Sequence, residues 1–206
     1  MSYTTTYTDE KGKTHTVSIN DADSREAIKN DYEALMKLFN PQLVRIERIQ
    51  AQPGEMLHLQ ITTLAPSHYL DSNTDVNPKA CSSMSAEIVV YLGYPLKAVK
   101  AYYPANHYLA SPNVFRSGAA CIDTWIPMTS SLLSVAEKMV MDMIHNPAVT
   151  RYDSPANASM IKWHQQGVAA GRFPTVSPRL ITAVAPPALP ARKARPATAP
   201  LPSRRR

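Results

Sequence analysis

The chain has 206 residues, of which 44% are hydrophobic and 18% charged, enough apolar content for one ordinary domain with extensions. No apolar run is long enough to span a bilayer, and two cysteines, Cys81 and Cys121, make neither a disulfide framework nor a spaced zinc site. Pro174 to Arg206 hold seven basic residues and no acidic one, so removing them from the formal +6 leaves about −1 on residues 1–173, and the folded part loses the basic footprint of a nucleic-acid-binding domain.

The polar start "MSYTTTYTDEKGK" lacks the apolar core of a secretory signal, so a reducing cytoplasm is the expected compartment. Residues 3–19 alternate Thr, Tyr and Val around Lys11-Gly12-Lys13, the pattern of a β-hairpin that needs something to dock on. Asp23 fits an N-cap with Glu26 as capping-box partner, and Ile28, Tyr32, Leu35 and Phe39 form one apolar face of a helix over 24–39. Asn40-Pro41 ends it. "LVRIERIQAQ" and "MLHLQITTL" read as two strands of an antiparallel meander across the Pro53-Gly54 turn. Residues 65–84 read as irregular. "AEIVVYL" (86–92) is continuously apolar, hence a central strand, and Val99, Ala101 and Tyr103 suggest a short fourth strand.

After Trp125 and Pro127, Ser130 or Ser131 can cap a helix with apolar positions Leu132, Val135, Met139, Val140 and Met143, ending near Asn146-Pro147. Residues 154–167 suggest a last short helix, packed through Trp163. Strands in one run with helices at the ends predict an α+β domain with a four-stranded antiparallel sheet flanked by helices. The boundaries expected are an N-terminal hairpin extension (1–22), the domain (23–173), and a Pro/Ala/Arg-rich basic tail (174–206). The tail holds eight of the 18 prolines and is expected to be disordered or extended.

One constellation carries chemistry. Tyr94-Pro95 precedes "SPNVFRSGAACIDTW", in which Gly118 lies five residues and Cys121 eight residues after Asn113. Ile122-Asp123 follows, then Trp125-x-Pro127. In this order and spacing the chain resembles the ubiquitin-conjugating enzymes over residues 24–167, and its short step from Cys121 to Trp125 is more like the bacterial ubiquitin-conjugating-like proteins. Ser111 stands where that family has a His. The hairpin, the 65–84 segment and the tail are not family features.

The resemblance implies a ubiquitin-conjugating-like fold and a two-step acyl transfer. Cys121 would take a ubiquitin-like modifier from an activating (adenylating) enzyme as a thioester, then pass it to a lysine on a protein substrate. A thiolate suits this because it is both a good nucleophile and a good leaving group. Asn113 would stabilise the oxyanion, or else brace the loop. Asp153, or Ser154, would hold the incoming lysine, which must lose its proton to attack. Bacterial systems of this look often serve antiviral defence. No cofactor or metal is implied, no membrane partner is expected, and nucleic acid is expected only through the tail. Cys81 reads as a small buried hydrophobe, Gly118 as a backbone position needing positive φ or close approach, and the six His as structural or exposed. The rival reading is a non-catalytic module that binds a ubiquitin-like protein on the same fold.

Overall fold

A computed structural model describes residues 2–9, 11–104, 107–122 and 124–173; Asp123 and the tail from 174 lie outside them. Two strands, β1 (Ser2–Thr8) and β2 (Thr14–Asn20), pair in an unbroken antiparallel register from Ser2↔Asn20 to Thr8↔Thr14. The turn is organised by Asp9, whose carboxylate accepts the N–H groups of Lys11 and Lys13 at 2.9 Å. At its base the hairpin docks on the domain. Tyr3 lies so close to Gly93 that a Cβ there would sit 2.7 Å from its ring, so Gly93 is the site of a close approach.

Helix α1 spans Asp21–Leu35. Its cap is Asn20, whose side chain accepts from the Asp23 N–H at 2.9 Å, rather than Asp23. The helix therefore starts earlier than its capping-box pattern suggests, because strand β2 delivers the chain directly into the first turn. It also stops at Leu35, short of Phe39.

The main sheet holds β3 (Val44–Arg48), β4 (Glu55–Thr63), β7 (Met84–Tyr91) and β8 (Lys100–Tyr102), antiparallel in the order β3-β4-β7-β8. Strand period two sends Leu57, Leu59 and Ile61 with Ala86, Ile88 and Val90 to one face. There they meet Ile28 and Leu35 of α1, and Leu132, Ala136, Met139, Val140 and Met143 of α2 (Leu132–Met143). Each fully buried Leu or Ile contributes about 1.5–3 kcal/mol. Ser131 caps α2 in a reciprocal capping box with Ser134.

The 65–84 segment is not irregular throughout. It supplies β5 (Ser67–Leu70) and β6 (Lys79–Cys81), which join β9 (Tyr108–Leu109) in a small sheet ordered β6-β5-β9. Strand β9 comes from just before the Cys121 loop, so the pairing is long-range, with no local alternation to reveal it. Two 3-10 turns, Pro147–Val149 and Ala158–Met160, lead to α3 (Ile161–Ala169), which begins later than the 154–167 pattern predicts. The described chain is thus an α+β fold with a four-stranded antiparallel sheet and three α-helices.

Candidate functional site

Cys121 stands at the end of an irregular hairpin built on the edge of the main sheet. Val114 bridges Ala120 and Tyr102 bridges Ala119. The Phe115 N–H donates to Ala119 O at 2.9 Å, and the Ala120 N–H donates to Ala101 O at 2.9 Å. Ala119 and Ala120 are thus held between the 114–115 segment and β8. Their small side chains suit that slot. The next rung is Cys121 itself, whose N–H donates to Asn113 O at 2.8 Å. Its thiol is free and half-buried.

Gly118 makes the return possible. Its φ is 86°, a Cβ would lie 2.8 Å from Tyr103 O, and its own carbonyl accepts the Tyr103 N–H at 2.8 Å. Both the backbone conformation and the close approach exclude a side chain.

On the other side, Ser111 is 1% exposed, and its Oγ accepts the Asn113 N–H at 3.1 Å. The hydroxyl closes a local side-chain turn of the kind Ser supports. The position thus braces the loop with one acceptor, at the cost of no imidazole.

Asn113 is 3% exposed, and its side chain is fully engaged. The two amide hydrogens go to Asp142 Oδ1 at 2.6 Å and Val149 O at 2.9 Å. Its Oδ1 accepts the Arg151 N–H at 3.3 Å. The partners dictate this orientation, since a carboxylate and a carbonyl need donors and an N–H needs an acceptor. In this arrangement the amide ties the Cys121 loop to α2 and to the 149–151 segment, with no N–H left over for a reacting carbonyl.

A further bond, Asn157 N–H to Pro112 O at 2.9 Å, ties the same loop to the segment before α3. Asp153 lies in that 149–157 segment, two residues past the Arg151 bond, with its side chain exposed. Residues 113, 121 and 149–157 are therefore brought together by backbone and amide bonds.

The chain after Cys121 is pinned by Trp125, whose Nε1–H donates to Pro95 O at 3.0 Å and whose ring lies 5.9 Å from that of Tyr94. Tyr94, joined to Pro95 by a cis peptide bond, donates its hydroxyl to the Asp31 carboxylate. The same oxygen accepts the Leu132 N–H at 2.8 Å. Burial and the neighbouring Asp31 push its phenol well above the ordinary value, so it stays a neutral donor. One Tyr thus joins α1, the Cys loop and the start of α2.

A groove along α2 begins at Ile122, the residue after Cys121. Its near end, a cleft of 90 Å³, is lined by Ile122, Trp125, Ser134 and Lys138. Its far end, of 360 Å³, shares Ser134 and Lys138 and reaches Val149 and Arg151. Behind the 149–157 segment, Tyr152 shares a 2.8 Å hydrogen bond with His164 Nδ1. His164, His145 and His68 cluster with Trp163 and Phe173. The His145 Nε2 accepts the His68 N–H at 3.1 Å. Burial, then the two neighbouring imidazoles, holds His145 well below the ordinary value. Burial also lowers His68 and His164. His107 stacks on Tyr69 with ring centroids 4.0 Å apart. Among the described residues no group of three His, Cys, Asp or Glu is placed to hold a metal.

Cys81, half-buried in β6, has its thiol pushed up by burial, which disfavours the thiolate. The functional residue that sequence reasoning passed over is Asp142. It lies three residues after Met139 on the apolar stripe of α2 and is 2% exposed. A carboxylate on a core-facing position needs partners, and that pattern was the available signal.

No known protein family and no curated protein matches the chain. Among solved structures, the UEV domain of yeast Vps23 in complex with a Vps27 PSDP peptide is similar over 57% of this chain and 79% of that chain, at 16% identity and a TM-score of 0.32. A TM-score that low defines no shared fold, and the site stands on its own geometry.

Proposed function

We propose that the chain is a ubiquitin-conjugating-like acyl transferase with Cys121 as the carrier thiol. The observation that carries the reading is the placement of Cys121. A free, half-buried thiol stands one residue before Ile122, which lines the cleft along α2, on a loop tied from both sides through Ser111, Asn113, Gly118 and Trp125. In the first step the Cys121 sulfur attacks the thioester carbonyl on an activating enzyme, whose thiol leaves. In the second a lysine amine attacks the Cys121 thioester and the thiol is released. Asn113 serves the loop through its three side-chain bonds, and the exposed Asp153 would receive the lysine. The bacterial and antiviral setting belongs to the sequence resemblance, and the cytoplasmic one to the polar start and the two cysteines.

The test is a charging assay. The protein is incubated with a matched activating enzyme, ATP and a ubiquitin-like modifier, then run on a non-reducing gel. A thiol-sensitive adduct is expected, absent in Cys121→Ala and replaced by a slower, thiol-resistant ester in Cys121→Ser. No adduct beside a demonstrably charged activating enzyme overturns the reading. The second reading, a non-catalytic module that binds a ubiquitin-like protein, is favoured by one observation: the Asn113 amide has no hydrogen left to offer an oxyanion. Modifier binding without an adduct would select it.

A further inference from the structure

Strand β1 has an unused edge. Among the described residues it pairs only with β2 and makes no backbone hydrogen bond to any other element. Edges of this kind are normally blunted by a charge, a proline or a bulge. Ser2–Thr8, "SYTTTYT", has none of these, and its seven residues run in unbroken register. The other edge, β2, runs directly into α1.

The strand also reads nearly the same in both directions about Thr5. Laid antiparallel against a second copy with Thr5 on the two-fold axis, Tyr3 meets Tyr7, Thr4 meets Thr6 and Ser2 meets Thr8. Strand β2, "THTVSIN", has no such symmetry, since His15 would face Ile19.

The backbone agrees with that register. Hydrogen-bonded and non-hydrogen-bonded pairs alternate along an antiparallel ladder. Counted from the Asp9 N–H bond to Lys13 O, the positions whose N–H and C=O point away from β2 are Ser2, Thr4, Thr6 and Thr8. Pairing about Thr5 sets these outward groups opposite one another and leaves none facing an inward group.

The faces match as well. Tyr3, Thr5 and Tyr7 lie on the half-buried face and Thr4 and Thr6 on the exposed one. Each Tyr would gain an aromatic cross-strand partner, and the hydroxyl rung already formed by Thr4 and Ser18 at 2.8 Å would continue into the second copy. With no charge between residues 2 and 8, self-pairing brings no like charges together. A two-stranded hairpin is marginal in water, whereas a four-stranded sheet is not.

We propose that β1 is a self-complementary edge through which two copies of this chain pair, antiparallel and centred on Thr5, in a two-fold dimer. The proposal is independent of the acyl-transfer reading.

The experiment measures molar mass in solution for the full chain across the micromolar range. Wild type is expected to move toward twice the 22.7 kDa chain mass as concentration rises. Thr4→Lys/Thr6→Lys places Lys opposite Lys in both rungs and should weaken pairing about tenfold or more. Thr4→Lys/Thr6→Glu removes the same hydroxyls from the same exposed face, yet places Lys opposite Glu, and should still dimerise. The neutral neighbours Ser18 and Thr16 on β2 are the same for both variants, so a damaged hairpin would affect them alike. The proposal is overturned by a wild type that stays at the single mass, including one whose β1 edge takes a strand from another protein instead. It is also overturned if the Lys/Lys variant still dimerises, or if the Lys/Glu variant is as monomeric as Lys/Lys.

Discussion

Replacing Asn113 with Ala separates the two roles open to this residue. The side chain donates to the buried carboxylate of Asp142 at 2.6 Å and to Val149 O at 2.9 Å, and accepts from the Arg151 N–H at 3.3 Å. A hydrogen bond to a charged, desolvated partner contributes roughly 1.5–3 kcal/mol, and neutral ones about 1 kcal/mol each. The longest of the three counts for least. Asn113→Ala is therefore expected to lower the unfolding free energy by about 3–4 kcal/mol, read by urea denaturation. In a domain of this size that is a fall in Tm of about 10 °C. Asn113→Asp keeps the shape but sets a carboxylate against Asp142. It should be the less stable of the two at neutral pH and recover as acid neutralises one of the pair. The reasoning is refuted if Asn113→Ala unfolds within about 0.5 kcal/mol of wild type while modifier transfer falls by about 100-fold or more. That pairing of results is what loss of an oxyanion donor, rather than of a brace, would produce.

Tyr94→Phe removes one hydroxyl that serves both Asp31 and the Leu132 N–H; a loss of about 2 kcal/mol in denaturant unfolding is expected, and an unchanged midpoint would show that water replaces it. Gly118→Ala meets Tyr103 O at 2.8 Å on a residue with φ of 86°; a stability loss of about 1–3 kcal/mol in denaturant unfolding is expected, with faster labelling of the half-buried Cys121 by a thiol reagent as the loop opens. For the imidazole cluster, burial lowers the folded-state values of His145, His68 and His164, so the unfolded chain binds protons that the folded chain refuses. Stability is then complete above the unperturbed imidazole value of about 6.5 and falls as pH drops below it, by at most about 1.4 kcal/mol per pH unit for each group. Urea midpoints of wild type and His145→Phe between neutral pH and pH 5 test this; equal slopes would remove His145 from the account.

What could be read in the sequence is what depends on local order. The continuous apolar run "AEIVVYL" marks a central strand covered on both faces, and alternation in "VRIER" and "EMLHLQITT" marks strands because one face is drier than the other. The stripe Leu132, Val135, Met139, Met143 marks α2 for the same reason at helical period. The distances from Asn113 to Gly118 and Cys121 are also properties of the chain alone, since a turn needs a fixed number of residues to return. Tertiary structure decided the rest. Asn20 rather than Asp23 caps α1 because a strand enters from that side, and β5 pairs with β9, a strand far along the chain, Tyr69 with Leu109 and Leu70 with Tyr108. Above all, the direction of the Asn113 side chain was not in its neighbours. It is set by Asp142 on α2 and by residues 149 and 151, more than 28 positions away. A buried amide turns toward whichever partners satisfy all of its donors and acceptors, and those partners exist only where the folded chain brings them together.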